Sequence, residues 1–164
     1  FQGFRVPTPR AVTLVEGMHA ISSTGGSVFV NVVVTDTNNI FGVDFDLLYD
    51  SANFSLVGSD EGNFLTEGGT VLTQFVIQTI PEPPTVTRII VAHSRFGVTT
   101  TDLNAVGEES LLALEFESRT ANPVTAALLF DDSIRAPRVF SKDGAPVVEG
   151  KDFHGGELFV ELNP

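Results

Sequence analysis

The side chains of this sequence that could do chemistry are carboxylates, three histidines and a few arginines, for the chain has no cysteine. A disulfide framework, a thiolate nucleophile and a Cys-ligated zinc or iron-sulfur site are therefore all excluded. Two adjacent acidic pairs, Asp60-Glu61 and Asp131-Asp132, offer the hard oxygen ligands that suit calcium. Neither has the spacing of an EF-hand loop, and solvated loop charge accounts for both. Paired carboxylates also hydrolyse glycosides when they face each other across a cleft, but a chain with 21 Asp and Glu holds such pairs by chance. His154-Gly155-Gly156 has the composition of an oxyanion loop found in some esterases. No Gly-x-Ser-x-Gly elbow accompanies it, and a turn before the last strand explains it. With no catalytic constellation and no cofactor motif, the expected function is binding rather than catalysis.

The elements that carry these residues follow a period of two, and no window holds a 3.6-residue apolar repeat over three turns. Ser27 to Thr35 is a β-branched run that reads as a strand ending at the turn formers Asp36-Thr37-Asn38-Asn39. Gly42 to Asp50 puts Val43, Phe45, Leu47 and Tyr49 on a core face, with Asp44, Asp46 and Leu48 on the other. Phe54 to Gly58 and Val71 to Gln78 are further strands, the second opened by Gly68-Gly69 and followed by a hairpin loop at Pro81-Glu82-Pro83-Pro84. Arg88 to Ser94 is apolar on both faces and turns polar at its end, as a central strand emerging at a surface would. Ser110 to Glu117 places Leu112, Leu114 and Phe116 inward and Glu115 and Glu117 outward. Val124 to Phe130 and Glu157 to Leu162 complete the set, with an irregular stretch, Asp131 to His154, between them. About nine turn-separated strands without a crossover helix predict an all-β, antiparallel β-sandwich.

Composition agrees with that class. The 164 residues suit one core, and we expect a sandwich domain over residues 11–164. Phe1-Gln2-Gly3 reads as a tag remnant and Arg5 to Arg10, with two prolines, as an extended linker. A formal charge of -12 repels phosphates, and the nine basic residues are scattered, so nucleic acid is not an expected partner. No apolar stretch approaches the roughly 20 residues that span a bilayer, so membrane insertion is not expected either. The Cys-free, acidic, Gly-rich composition is that of secreted bacterial β-modules, which points to an extracellular or cell-surface place within a larger polypeptide. A monomer or a weak dimer formed through an edge strand is expected.

Three passages resemble the cohesin family of nine-stranded jelly-roll modules, which capture dockerin modules. Gly42-Val43-Asp44-Phe45-Asp46-Leu47-Leu48-Tyr49-Asp50 is similar to the family's third strand, although Ser51 stands where proline often follows. Gly107 to Phe116 resembles its glycine, short spacer and alternating strand, and Gly155-Gly156-Glu157-Leu158-Phe159-Val160 its closing strand. The resemblance implies a partner-binding sheet face with Asp44 and Asp46 on the third strand, His93 and Arg95 on the exposed end of a neighbouring strand, and Gln74 on the strand Val71 to Gln78. It also implies a dockerin-bearing partner, with calcium held by the dockerin and none here. Two alternatives share the sandwich: a carbohydrate-binding module, which ordinarily stacks sugars on Trp or Tyr where this chain has no Trp and one Tyr, and a structural or adhesin module of a surface protein.

Overall fold

Runs of β-branched and aromatic residues broken by Gly, Asn, Asp and Pro favour extended backbone. The computed structural model, which describes residues 11–14, 18–22 and 26–161, is built almost wholly from strands. In chain order they are β1 (Ala11–Leu14), β2 (Met18–Ser22), β3 (Ser27–Ile40), β4 (Gly42–Asp50), β5 (Phe54–Asp60), β6 (Thr73–Glu82), β7 (Val86–Arg95), β8 (Leu103–Ser118), β9 (Val124–Asp131), β10 (Arg138–Phe140), β11 (Pro146–Glu149), β12 (Phe153–His154) and β13 (Gly156–Glu161). One turn of 3-10 helix, Gly150–Asp152, precedes β12. Among the described residues no helix is long and apolar enough to cross a membrane. Residues 1–10, read above as tag remnant and linker, lie outside the described residues.

The strands form the two sheets of a β-sandwich. One sheet has the order β12-β1-β3-β8-β5. The other has the order β2-β13-β9-β4-β7-β6, with the β10–β11 hairpin paired to the start of β4. Pairing is antiparallel except at two places, β1 with β12 and β2 with β13, which run parallel. The short strands β10, β11 and β12 come from the stretch that looked irregular in sequence.

The core lies between the sheets. Val30, Val32, Val34, Leu112, Leu114 and Phe116 enter it from one side, and Val43, Phe45, Leu47, Ile89, Val91 and Leu128 from the other; for 43–47 and 112–116 this is the face the alternation predicts. Aromatic rings meet edge to face, Tyr49 with Phe116 at 5.3 Å and Phe45 with Phe130 at 5.1 Å, the arrangement their quadrupoles favour.

The turn formers after Thr35 do not end a strand. β3 continues to Ile40 because Asp36 and Asn39 adopt positive φ, 43° and 62°, which short polar side chains tolerate. They make irregularities in the β3–β8 ladder. Asp36 accepts the Gly107 N–H at 2.7 Å, and Asn104 accepts the Asn39 N–H at 3.0 Å. The predicted strand from Val71 begins instead at Thr73, because residues 64–70 form turns that seat Leu65 in the core.

Phe41 alone separates β3 from β4, so the chain passes between the sheets in one residue. Its N–H donates to Phe140 O at 2.8 Å, and its carbonyl accepts from Arg95 N at 2.9 Å. Gly42 permits this crossing, since a Cβ there would stand 2.5 Å from Phe140 Cζ and 2.8 Å from His93 O. The backbone oxygen cannot swing away as a side chain could. Gly42→Ala is expected to cost about 1–3 kcal/mol, read as a lower urea midpoint at unchanged m-value.

Candidate partner-binding face

β4 is paired along its full length with β7, Gly42 opposite Ser94 through Asp50 opposite Val86. On its other side it meets β10 at residues 42–44 and β9 at residues 46–48. Period-two geometry then fixes one outer face. β4 contributes Asp44, Asp46 and Leu48, and β7 contributes Arg88, Ile90, Ala92 and Ser94. β6, paired to β7 with Gln74 opposite Ser94 and Ile80 opposite Arg88, adds Gln74, Val76, Gln78 and Ile80. β9 adds Leu129 and Asp131, and β10 adds Arg138. Gln74, Val76, Gln78, Ile80 and Leu129 are exposed, which leaves apolar side chains on both flanks of a charged centre.

That centre is a connected network. Arg88 donates from Nη1 to Asp46 at 2.9 Å and to Asp131 at 2.6 Å, and from Nε to Glu82 at 2.6 Å. Asp46 gives its second oxygen to Arg135, which meets it through Nε at 3.0 Å and Nη2 at 2.9 Å. Arg138 Nε donates to Asp44 at 3.0 Å, its Nη1 to Gly144 O at 3.2 Å, and its guanidinium lies over the Phe140 ring. Asp46 and Arg88 are almost fully covered, with side chains 3% and 6% exposed, although they project from the outer side of the sheet. A thin layer of neighbouring side chains covers them, not the core. The guanidinium of Arg88 is held above its ordinary value, first by the hydrogen bond to Glu82, while burial works the other way. The Asp131 carboxyl is held below its ordinary value, first by the Ser133 hydroxyl and then by Arg88.

Of the residues expected on a partner face, Asp44, Asp46 and Gln74 share one. Asp46 is buried beneath its arginines rather than solvated. His93 and Arg95 do not lie on an exposed strand end; both are buried, 0% and 4% exposed, and point between the sheets. The reason is register: Asp44 stands opposite Ala92, so the odd-numbered residues of β7 face inward. The register shift in the β3–β8 ladder skips Leu111, whose carbonyl lies 3.2 Å from His93 Nδ1. Because a carbonyl can only accept, Nδ1 carries the proton. Nε2 finds no hydrogen-bond partner and stands 3.4 Å from Glu61 Oε1. Burial pushes the imidazole below its ordinary value, against the pull of Leu111 and Glu61. Arg95 donates to Leu65 O and to Glu67, both at 2.9 Å. The two residues thus hold the 61–72 segment against the sandwich.

The acidic pairs resolve the same way. Asp60 accepts the Gly62 N–H at 2.7 Å and Glu61 accepts the Thr73 hydroxyl, beside an open cavity of about 480 Å³ that Phe75 also lines. Asp131 belongs to the arginine network. Among the described residues no three His, Asp or Glu side chains gather as a metal site. Tyr49 is buried against Phe116 and offers no platform to a sugar. Sequence reasoning passed over Arg88, Arg135 and Arg138. Arg88 and Asp46 carried a signal, opposite charges on diagonal positions of adjacent strands.

No family model matches the chain, and no curated protein matches it. Solved structures do. The chain is similar to the sixth cohesin of scaffoldin B from Acetivibrio cellulolyticus, solved in complex with a mutant Cel5 dockerin, at 18% identity and TM-score 0.68, over 95% of this chain and 100% of that one. It is similar to a type II cohesin domain from the cellulosome of the same organism, at 12% identity and TM-score 0.68, over 92% and 95% of the two chains. A non-cellulosomal cohesin from the archaeon Archaeoglobus fulgidus matches at 14% identity and TM-score 0.52, over 94% and 92%. The fold is cohesin-like.

Removing one member of the network strands its partners, so Arg88→Met is expected to cost about 3 kcal/mol in chemical denaturation at pH 7. Arg88→Met with Asp46→Leu is expected to recover only the part that comes from stranding the covered Asp46, because Asp131, Glu82 and Arg135 still lose a partner. A second expectation concerns pH. The neutral form of His93 is favoured in the fold, so its contribution is complete above the unfolded value near 6.5 and declines as pH falls through the lower folded value. His93→Gln retains a donor for Leu111 and should flatten the stability profile below about pH 6.5.

Proposed function

We propose that this cohesin-like chain is a non-catalytic docking module that captures a dockerin-bearing protein on the outer face of β6, β7, β4 and β9, and so anchors it to a scaffold or cell surface. The observation that carries the reading is the likeness, over nearly the whole of both chains, to a cohesin solved with a dockerin bound. The face itself supports it. Strand-borne side chains are already ordered, so a partner need not freeze long loops on binding. Exposed Val76, Ile80 and Leu129 supply apolar contact, with Asp44 and Gln74 as polar neighbours. A helix laid across the sheet would bury the apolar flanks and meet the charged centre. Calcium in this reading belongs to the dockerin, and the setting is extracellular.

The test is capture by the immobilised chain from secreted and surface proteins of its host, with calcium and again with a chelator. Recovery of a protein with duplicated EF-hand-like loops, lost on chelation, is the expected result. Val76→Asp with Ile80→Asp should abolish that capture and shift stability by only about 0.5 kcal/mol per site. Equal capture by this variant would place binding elsewhere, and retention on polysaccharide with no protein recovered would overturn the reading.

A further inference from the structure

Asp44 and Asp46 are the acids expected to meet a partner, and in the structure Asp46 is fully engaged by arginines and Asp44 partly so. Both oxygens of Asp46 are taken by guanidinium groups, one from Arg88 and one from Arg135, and Asp44 accepts from Arg138. Exposure is distributed accordingly. The side chains of Arg135 and Arg138 are 43% and 42% exposed, whereas those of Asp46 and Asp44 are 3% and 17% exposed. Solvent at this end of the face therefore meets both guanidinium groups, with the exposed acids Asp132 and Glu149 beside them, in a chain whose formal charge is -12. Among the described residues Arg135 pairs with Asp46 alone, so its Nη1 remains open. Arg138 is steadied from three sides, by Asp44, Gly144 O and the Phe140 ring. Beside it lies a cavity of about 380 Å³ whose charged lining is Arg138 and Lys151 with Asp132 and Glu149.

We propose that Arg135 and Arg138 are the specificity-determining contacts of this face, that Asp46 and Asp44 are their positioning residues, and that the partner they select presents carboxylate side chains beside an apolar helical stripe. The inference rests on the docking reading given above and deepens it. Charge complementarity carries it: a guanidinium held in place recognises a carboxylate with two parallel hydrogen bonds. A partner bringing Lys or Arg would face like charge and would have to displace an arginine that already neutralises a covered acid. The stretch 131–154, irregular in sequence, is what delivers both arginines to β4.

The test is selection from a displayed library of the calcium-loaded Cel5 dockerin with its sheet-facing positions randomised, with the Acetivibrio cellulolyticus scaffoldin B cohesin as a control target. Enrichment of Asp and Glu against this chain is expected, with affinity of the selected binders falling at least tenfold for Arg135→Gln with Arg138→Gln. Arg135→Glu with Arg138→Glu should turn the selection toward Lys and Arg. Thermal melts confirm that each variant is folded, and the Gln pair retains a folded probe should the Glu pair unfold against Asp46. Enrichment of Lys and Arg by the unaltered chain would overturn the proposal. So would binders indifferent to both arginine variants; if these are still lost on Val76→Asp with Ile80→Asp, the docking reading stands without it. A library that yields binders to the control and none to this chain would remove the docking reading, and the proposal with it.

Discussion

β4 holds its register against three partners at once, and everything said of the binding face follows from that constraint. β7 pairs with all nine of its residues, while β10 and then β9 take the opposite edge. A slip of one residue would drive Asp44, Asp46 and Leu48 into the core and turn Phe45 and Leu47 to water. The apolar side chains of β4 enforce the register from within, and the Asp46–Arg88 pair marks it from without. Phe41 and Gly42 set its start, because the single-residue crossing from β3 leaves no slack for the strand to shift.

The charged network has an unusual position for ions so well covered. It sits on the outside of a sheet, shielded by a layer one side chain deep, and Asp46 and Arg88 still lose most of their water there. Its geometry satisfies Asp46 and Asp131 more than once and Asp44 once. Pairs of this kind contribute less to net stability than their number suggests, since each ion gives up water to enter. Their stronger effect is on orientation: the guanidinium planes of Arg88, Arg135 and Arg138 are fixed before any partner arrives.

The sequence showed the fold class clearly and the face only in part. Alternation in 43–49 and 112–116 distinguished inside from outside because one side of each strand is apolar and the other mostly polar. β7 has no such asymmetry: Ile89, Ile90, Val91 and Ala92 read alike in either direction. Its polar end therefore suggested exposure for His93 and Arg95, when those two fill the inner side and hold the 61–72 segment. Apart from Glu82, six positions from Arg88, the acids these arginines meet lie 42 to 94 positions away, a separation no local pattern encodes. Asp36 and Asn39 misled for a different reason, since residues that favour positive φ serve a bulge as well as a turn.

The two parallel pairings have a mechanical meaning. β2 lies beside β13 in five-residue register, and β1 beside β12, so strands near the start of the chain are bonded side by side to strands near its end. Tension drawn through the first and last strands pulls such neighbours lengthwise past each other. The hydrogen bonds of each ladder then bear the load together instead of opening one after another, as they would if the strands were peeled apart. A sandwich wired in this way yields to force only when a whole ladder gives way at once.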